Sequence, residues 1–451
     1  MAVVSVEMLS EVLKHHRLDA KFYDPKYKID FSKGKWKPIN CFLDVCQYGI
    51  SQAMTEEEKG YPIFRMDDIK DGFLLDDEVK FLEIPKEKFD NFKLEVNDVL
   101  FNRVNSEEFV GRTGIFKLEG NYVFASYLIR LRVKEGTEIT PDYLNIFLNT
   151  KYGKKQIHRF SRRAVNQTNV NAEELKDFKI ALIDLDIQKE LTNISDEIWK
   201  NIKISKDLYK KAENLLLEYL GLDEYKMDYE LSYESTLSTS IQFNRIDAQY
   251  YQPAYYDLIK AIKNCPEGYS DLLKCVDYVK PNFNPRKYPD NVFNYVELSN
   301  IDASIGIINI ASTVSGEEMP TRAKRLLKKD DVLASSVEGS VQKIALVHDE
   351  HEDYVATNGF FQFRSKKIMP EVLLVLCGSF IIQKQIVREC TGTILMAMPK
   401  DSLERIIVPI ISEEKQKEIA EIIKESHSAR NEAVKLLEKA KNIVEDAIEE
   451  L

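Results

Sequence analysis

Residues 17–27 read RLDAKFYDPKY, and residues 245–255 read RIDAQYYQPAY. The second copy lies 228 residues after the first, and other pairs keep nearly the same offset. PDYLNIFLNT from Pro141 matches PEVLLVLCGS from Pro370, and FKIALI from Phe178 matches IVPII from Ile407. Gln188-Lys189-Glu190 returns as Gln416-Lys417-Glu418. DVLFNRV from Asp98 returns as DVLASSV from Asp331 at an offset of 233, so the middle has gained a few residues and lost them again. An ordered set of matches at one offset means duplication. The 451 residues form two homologous halves, roughly 1–225 and 226–451.

Each half has the same internal order. Short runs such as YVFASYLIRLRV from Tyr122 and YVATNGFFQFRS from Tyr354 alternate and are rich in aromatic and β-branched residues, which predicts strands. A long amphipathic helix follows. Its stripe is Leu191, Ile194, Ile198, Leu208, Ala212, Leu215 and Tyr219 in the first half, interrupted by Asn201 and Ser205. In the second half it is Ile419, Ile422, Ala429, Ala433, Leu436, Ala440, Ile443 and Ala447, broken by Ser426. Sustained seven-residue spacing with charge on the other faces reads as coiled coil, and Gly221 sits where a C-terminal cap belongs. The expected class is α+β: two homologous mixed α/β domains, each followed by a long helix, the helices pairing as an antiparallel coiled coil with pseudo-two-fold repeat symmetry. The boundaries are 1–183, helix 184–221, linker 222–240, 241–411 and helix 412–451.

Composition narrows the classes. At 44% apolar and 30% charged the chain is an ordinary folded one. The net charge of −11 is unevenly spread: residues 184–221 carry −2, 222–240 carry −4 and 412–451 carry −4, leaving the globular regions near −1. Six scattered cysteines without a Cys-x-x-Cys pair argue against zinc or a disulfide framework. No basic start with a cleavable apolar run and no bilayer-length stretch occurs, so the chain reads as cytoplasmic and free of membrane. Phosphate-cradling Gly motifs are absent. Asp24-Pro25-Lys26-Tyr27 faintly resembles the Asp-Pro-Pro-Tyr of amino-methyltransferases, but its repeat is Gln252-Pro253-Ala254-Tyr255, and a catalytic acid does not become Gln. His348–Asp353 reads as a solvated turn rather than a metal site.

The layout resembles the specificity subunit of type I restriction–modification systems. The residues carrying it are the twin R-[LI]-D-A-x-[FY]-Y-x-P-x-Y segments, VLFNRVNSEEFVGRTGIF from Val99, DVLASSVEGSVQKIALV from Asp331, and TGTILMAMPKDSLERIIVPII from Thr391 leading into the Gln-Lys-Glu helix. The resemblance implies that each globular part is a target-recognition domain for half of a split double-stranded DNA site. It implies that the helices are a spacer around which two copies of a methyltransferase subunit dock, with a nuclease-translocase restriction subunit in the same complex. It implies no catalytic site and no cofactor on this chain; S-adenosylmethionine, and ATP and Mg²⁺ with a nuclease subunit, belong to the partners. Two similar domains on one face of B-DNA read half-sites about one helical turn, ~34 Å, apart. Divergence between the repeats makes the target asymmetric.

Candidate contacts follow from charge and side-chain chemistry. Residues 151–171 hold Lys151, Lys154, Lys155, Arg159, Arg162 and Arg163 without an acid, followed by Gln167, Thr168 and Asn169. Such a run neutralises phosphates while Arg or Gln reaches base edges. Asn102, Arg103, Asn105 and Arg112 lie between two apolar runs, where Arg suits guanine and Asn suits adenine. In the second half the counterparts are Ser335 and Ser336 for Asn102 and Arg103, Gln342 and Lys343, and Lys384, Arg388, Thr391, Thr393 and Lys400. Arg322, Lys324, Arg325, Lys328 and Lys329 form a separate acid-free cluster. The bland alternatives are a solvated helix face and turn hydrogen bonding. The Arg, Asp and Tyr of the R-x-D-A segments recur in both halves and are expected to be architectural. Two other readings stand beside recognition: a nuclease or methyltransferase with a degenerate site, and a structural coiled-coil adaptor.

Overall fold

The two Asp-Val-Leu segments become the centre of two like-built sheets. In the computed structural model, which describes residues 12–13, 17–163 and 167–451, the chain forms two compact units. The expectation about the N-terminal start and residues 164–166 of the basic run fall outside the described residues. One unit holds residues 1–202 and 431–451, the other residues 203–430.

In the first unit the main sheet runs in the order Leu43–Tyr48, Leu128–Val133, Val99–Asn102, Thr113–Ile115, Phe73–Leu74, Ile69–Lys70. In the second, Val276–Tyr278, Phe360–Ser365, Val332–Ser335 and Ile344–Leu346 repeat its first four strands in the same order. A parallel pair recurs too: Val123–Phe124 beside Tyr61–Phe64, and Val355–Thr357 beside Val292–Val296. So does an antiparallel pair closing each unit, Trp36–Pro38 with Lys179–Ala181 and Tyr269–Asp271 with Ile407–Pro409.

The invariant Asp of each Asp-Val-Leu run explains its own repetition. Asp98 is buried and accepts from Arg132 Nε and Nη2, both at 2.7 Å. Asp331 is buried and accepts from Arg364 Nε at 2.9 Å and from Gln362 Nε2 at 2.7 Å. A buried carboxylate is tolerated only when paired and hydrogen-bonded, so both partners are retained together.

Each sheet is covered by a helix pair, Pro141–Asn149 with Lys151–Phe160, and Pro370–Gly378 with Phe380–Glu389. The second pair is strongly apolar, bends by 62° between its helices and buries Val372–Cys377, Ile381, Ile382 and Ile386. No single helix among the described residues is long and apolar enough to cross a membrane. The R-x-D-A segments lock onto the ends of these pairs. Arg17 pairs with Asp19 at 2.6 Å and donates to the Phe160 carbonyl at 3.0 Å, while the Tyr23 hydroxyl donates to the Arg17 carbonyl at 2.9 Å. Arg245 pairs with Asp247 at 2.7 Å and donates to the carbonyls of Glu389 and Cys390, and Tyr251 donates to the Arg245 carbonyl at 2.6 Å. The motif thus caps a helix C-terminus, where unpaired carbonyls need a cation or donor.

The long helices are Leu185–Leu220 and Glu413–Glu449, each with one half in each unit. Gly221 ends the first with φ +68°, and Leu222 N donates to the Leu217 carbonyl, a Schellman closure. In the second unit the helices run antiparallel, since Ser205 meets Ser426 and Tyr219 hydrogen-bonds Glu418. Leu191, Ile194, Ile198, Ala212, Ile419, Ile422, Ala433 and Ala440 are buried as the stripe predicts. One part of that reading is corrected. Leu208, Leu215, Leu436 and Ile443 are only partly buried, whereas Ile202, Ser205, Tyr209, Leu216, Leu220, Ile423, Ser426 and Val444 are buried. The seam therefore passes through the two serines rather than being interrupted by them.

Candidate nucleic-acid interface

Between each covering helix pair and its long helix the chain makes an exposed hairpin. In the first unit Arg162 and Arg163 pair with Asn169 and Thr168, and Thr168 and Asn169 pair with Asn105 and Val104. Val170 N donates to the Arg103 carbonyl at 2.9 Å. In the second unit Thr391 pairs with Ala397, Ala397 with Val337, and Met398 N donates to the Ser336 carbonyl at 2.8 Å. The same tie therefore joins hairpin to sheet in both copies. The structure brings Asn105, Arg162, Arg163 and Asn169 into one small three-stranded sheet with Gln167 just before its middle strand, and sets Thr391 on the counterpart bridge with Thr393 in the loop that follows. Arg163, Gln167, Thr391 and Thr393 are exposed.

Neighbouring side chains give this surface its shape. Arg103 lies over the Tyr48 ring at 4.9 Å, and Arg112 over Phe109 at 3.9 Å. Stacking on an aromatic face pre-positions a guanidinium without consuming its charge. Gly111, at φ +82°, lets the loop press on the helix behind, because a Cβ there would meet Ile157 at 2.5 Å. Arg162 is exposed but paired with Glu174 at 2.7 Å. Lys155 is partly exposed on its helix. Sequence reading missed Ile394 and Leu395, fully and half exposed at the second hairpin's tip; two adjacent apolar residues between Thr-Gly-Thr and Pro were the available signal.

Other candidates are used inside the fold. Asn102 and Ser335 are fully buried; Asn102 donates to the Phe109 carbonyl at 3.3 Å, and the Ser335 hydroxyl faces that of Ser340 at 3.1 Å. Ser336 is buried and its hydroxyl donates to the Gly359 carbonyl at 2.8 Å. Arg325 is buried and donates to the Val279 carbonyl and the Tyr278 hydroxyl. These four are corrected from contact residues to framework, because a side chain closed off from solvent reaches no base.

Arg159 and Arg388, one per copy, behave alike. Arg159 donates to the Phe22 carbonyl at 3.1 Å and lies over the Phe22 ring, and Arg388 donates to the Tyr250 carbonyl at 3.2 Å and lies over the rings of Tyr250 and Tyr256. They pin the R-x-D-A segment to its helix. Lys151 faces Glu445 and Glu449 of the second long helix, which raises its proton affinity through those carboxylates, with the hydrogen bond to Glu449 foremost. Half of the basic run is thus turned toward protein.

Two members of the acid-free cluster are neutralised in space. Lys328 pairs with Asp353 at 2.8 Å and Lys329 with Asp349 at 2.9 Å, from the turn after His348. Lys324 lies in the edge strand Ala323–Leu326 and Arg322 in the turn just before it, in a sheet separate from the hairpin's strands. Gln342 is exposed, while Lys343 donates to the Ile301 carbonyl at 3.1 Å. Among the described residues no group of three or more His, Cys, Asp or Glu is placed to hold a metal ion. All six cysteines are free thiols, and burial pushes Cys377 and Cys390 up to about 12.

Known proteins are similar to parts of this chain. The family described as Type I restriction modification DNA specificity domain matches residues 41–214. The chain is 27% identical over 198 residues to a protein of Methanocaldococcus jannaschii named as the type I restriction enzyme MjaX specificity subunit, covering 42% of this chain and 46% of that one. It is 24% identical over 180 residues to the type I restriction enzyme EcoKI specificity subunit of Escherichia coli, covering 39% and 38%. The matched stretch spans less than half the length of either curated relative. A crystal structure of the type I restriction–modification system S subunit from M. genitalium aligns over 94% of this chain and 97% of its own, at 13% identity and a TM-score of 0.41. Over residues 41–214 the chain is similar to the type I restriction–modification DNA specificity family.

Proposed function

We propose that this chain is the DNA-recognition subunit of a type I restriction–modification complex. Each globular unit reads one half of an asymmetric bipartite target, and the paired helices set the spacing and seat two methyltransferase subunits. The observation that carries the reading is the duplicated framework bearing unlike hairpins. One hairpin presents Arg162, Arg163, Gln167 and Asn169, the other Thr391 and Thr393. Like frames with unlike reading surfaces suit a target with two unlike halves. Arg103, Asn105, Arg112 and Lys155 in the first unit, and Arg322, Lys324, Gln342 and Lys343 in the second, supply further contacts. The chain itself performs no catalysis. S-adenosylmethionine binds the methyltransferase partner, and ATP and Mg²⁺ a nuclease-translocase partner. Methylation mapping of the host genome with and without the gene tests this: loss of one split motif supports it, and an unchanged methylome overturns it.

A further inference from the structure

The tip of the second unit's hairpin is apolar and is held outward by its own backbone. Ile394 is fully exposed and Leu395 half-exposed. A single exposed aliphatic residue is ordinary. Two adjacent ones on a turn, where Gly, Asn, Asp and Ser normally stand, are not. The turn beneath them is built. Thr391 and Ala397 exchange both backbone hydrogen bonds at 3.0 Å. Gly392, at φ +129°, lets the chain double back, because a Cβ there would stand 2.4 Å from the Leu395 carbonyl oxygen. Ala397 also bridges Val337, and Met398 N donates to the Ser336 carbonyl, so the turn is fixed to the sheet. The two side chains are therefore presented to solvent by a held turn rather than left over from an unfinished core.

What they meet follows from the repeat and from charge. The same backbone tie holds the first hairpin, where Arg162 and Arg163 stand. One partner taken at both positions would need like surfaces; these are unlike, as the two halves of an asymmetric target are. Residues 390–399 carry no charged side chain. Lys400 follows, but Glu338 stands at the hairpin's base, its N donating to the Met396 carbonyl at 3.0 Å. Such a surface gains little from phosphates, which reward cations, so its binding comes from base edges. In the major groove one base-edge group is apolar, the C5-methyl of thymine, and aliphatic side chains match it. The exposed hydroxyls of Thr391 and Thr393 suit the polar edges beside it. We infer that Ile394 and Leu395 determine specificity for thymine in the half-site of the second unit by covering its C5-methyl. This rests on the function proposed above and goes beyond it in naming the base and the residues that select it.

The test uses the complex of the full chain with the methyltransferase subunits of its own system and the target given by methylation mapping. The second unit's half-site is the one kept when residues 20–180 are exchanged. Each thymine in it is replaced in turn by deoxyuridine, which removes only the methyl group. At one position at least, deoxyuridine is expected to weaken binding about fourfold, the worth of one buried carbon. With Ile394→Ala and Leu395→Ala combined, the thymine and deoxyuridine duplexes are expected to bind alike, while base changes in the other half-site act equally on parent and variant. Circular dichroism of the variant is expected to match the parent, since both side chains are in solvent. A half-site without thymine, no loss with deoxyuridine at any position, or a variant that still separates the two duplexes overturns the inference and leaves the proposed function intact. Loss of methyltransferase subunits by the variant assigns the tip to protein and likewise overturns the inference. A parent complex that binds no split motif overturns function and inference together.

Discussion

Gln188 and Gln416 show how one residue's chemistry produces a repeat. The Gln188 side chain accepts from Thr140 N at 2.8 Å and donates to the carbonyls of Glu138 and Ile183. Gln416 accepts from Met369 N at 2.7 Å and donates to the carbonyls of Lys367 and Ile411. Each buried amide ties a long helix to the loop before the covering pair. Replacement by Ala strands buried backbone groups, so Gln188→Ala or Gln416→Ala is expected to cost about 3 kcal/mol in urea unfolding. A second residue sets a pH dependence. His427 Nε2 bonds the Ile305 carbonyl at 2.8 Å and so carries its proton there; its Nδ1 accepts from His348 Nε2 at 3.0 Å. Burial first, then His348, push His427 down to about 4. The folded state thus binds this proton less readily than the unfolded chain. The effect is absent above about pH 7 and grows as pH falls from about 6.5 toward 4. His427→Gln is expected to flatten the fall in stability over that window, by on the order of 3 kcal/mol at pH 4; a parallel curve would refute the assignment. At the hairpin, Arg163→Ala is expected to weaken target DNA binding by the assembled complex about tenfold, within the ~1–3 kcal/mol of a good contact, while Arg159→Ala lowers stability.

At the level of elements, the helices explain why a stripe read by hydrophobicity drifts. Ser205 and Ser426 sit in the seam, with the Ser426 hydroxyl donating to the Ser205 carbonyl at 2.6 Å and the two hydroxyls 3.3 Å apart. Small residues let the backbones close, and satisfied hydroxyls make polarity harmless there. Ser426→Ala removes the donor to a backbone carbonyl and leaves the Ser205 hydroxyl alone, so it is expected to cost about 1 kcal/mol; Ser205→Ala keeps the main bond and should be nearly neutral. Equal losses in chemical denaturation would contradict this. Four residues inserted in Leu185–Leu220 add about 6 Å. If the helix is a ruler, the tolerated gap between half-sites changes by about two base pairs; an unchanged gap in methylation data would remove that role.

For the molecule as a whole, the uneven charge matters more than its sum. The helical and linking segments carry −10 of the −11, so the globular units are near neutral with local basic surface. The isolated chain is therefore expected to bind DNA weakly and to lose it steeply as salt rises. Tight, salt-resistant binding without partners would speak against this distribution. Exchange of residues 20–180 for another recognition domain is expected to change one half-site and keep the other, read from the methylated motif.

The duplication, the strand-rich units and the long helices were legible in the chain because each is periodic: one offset near 228, alternation by two, and a seven-residue stripe. The candidate surface was legible only in part. Arg163 and Arg159 look alike in sequence, yet one is exposed on a hairpin and the other is held by the Phe22 carbonyl and ring. Asn102 and Ser335 occupy diverged positions, which suggested reading, but both lie inside a sheet. Exposure is a property of contacts between segments far apart in the chain, and only tertiary packing decides which cations meet carbonyls, which meet carboxylates, and which are left facing solvent.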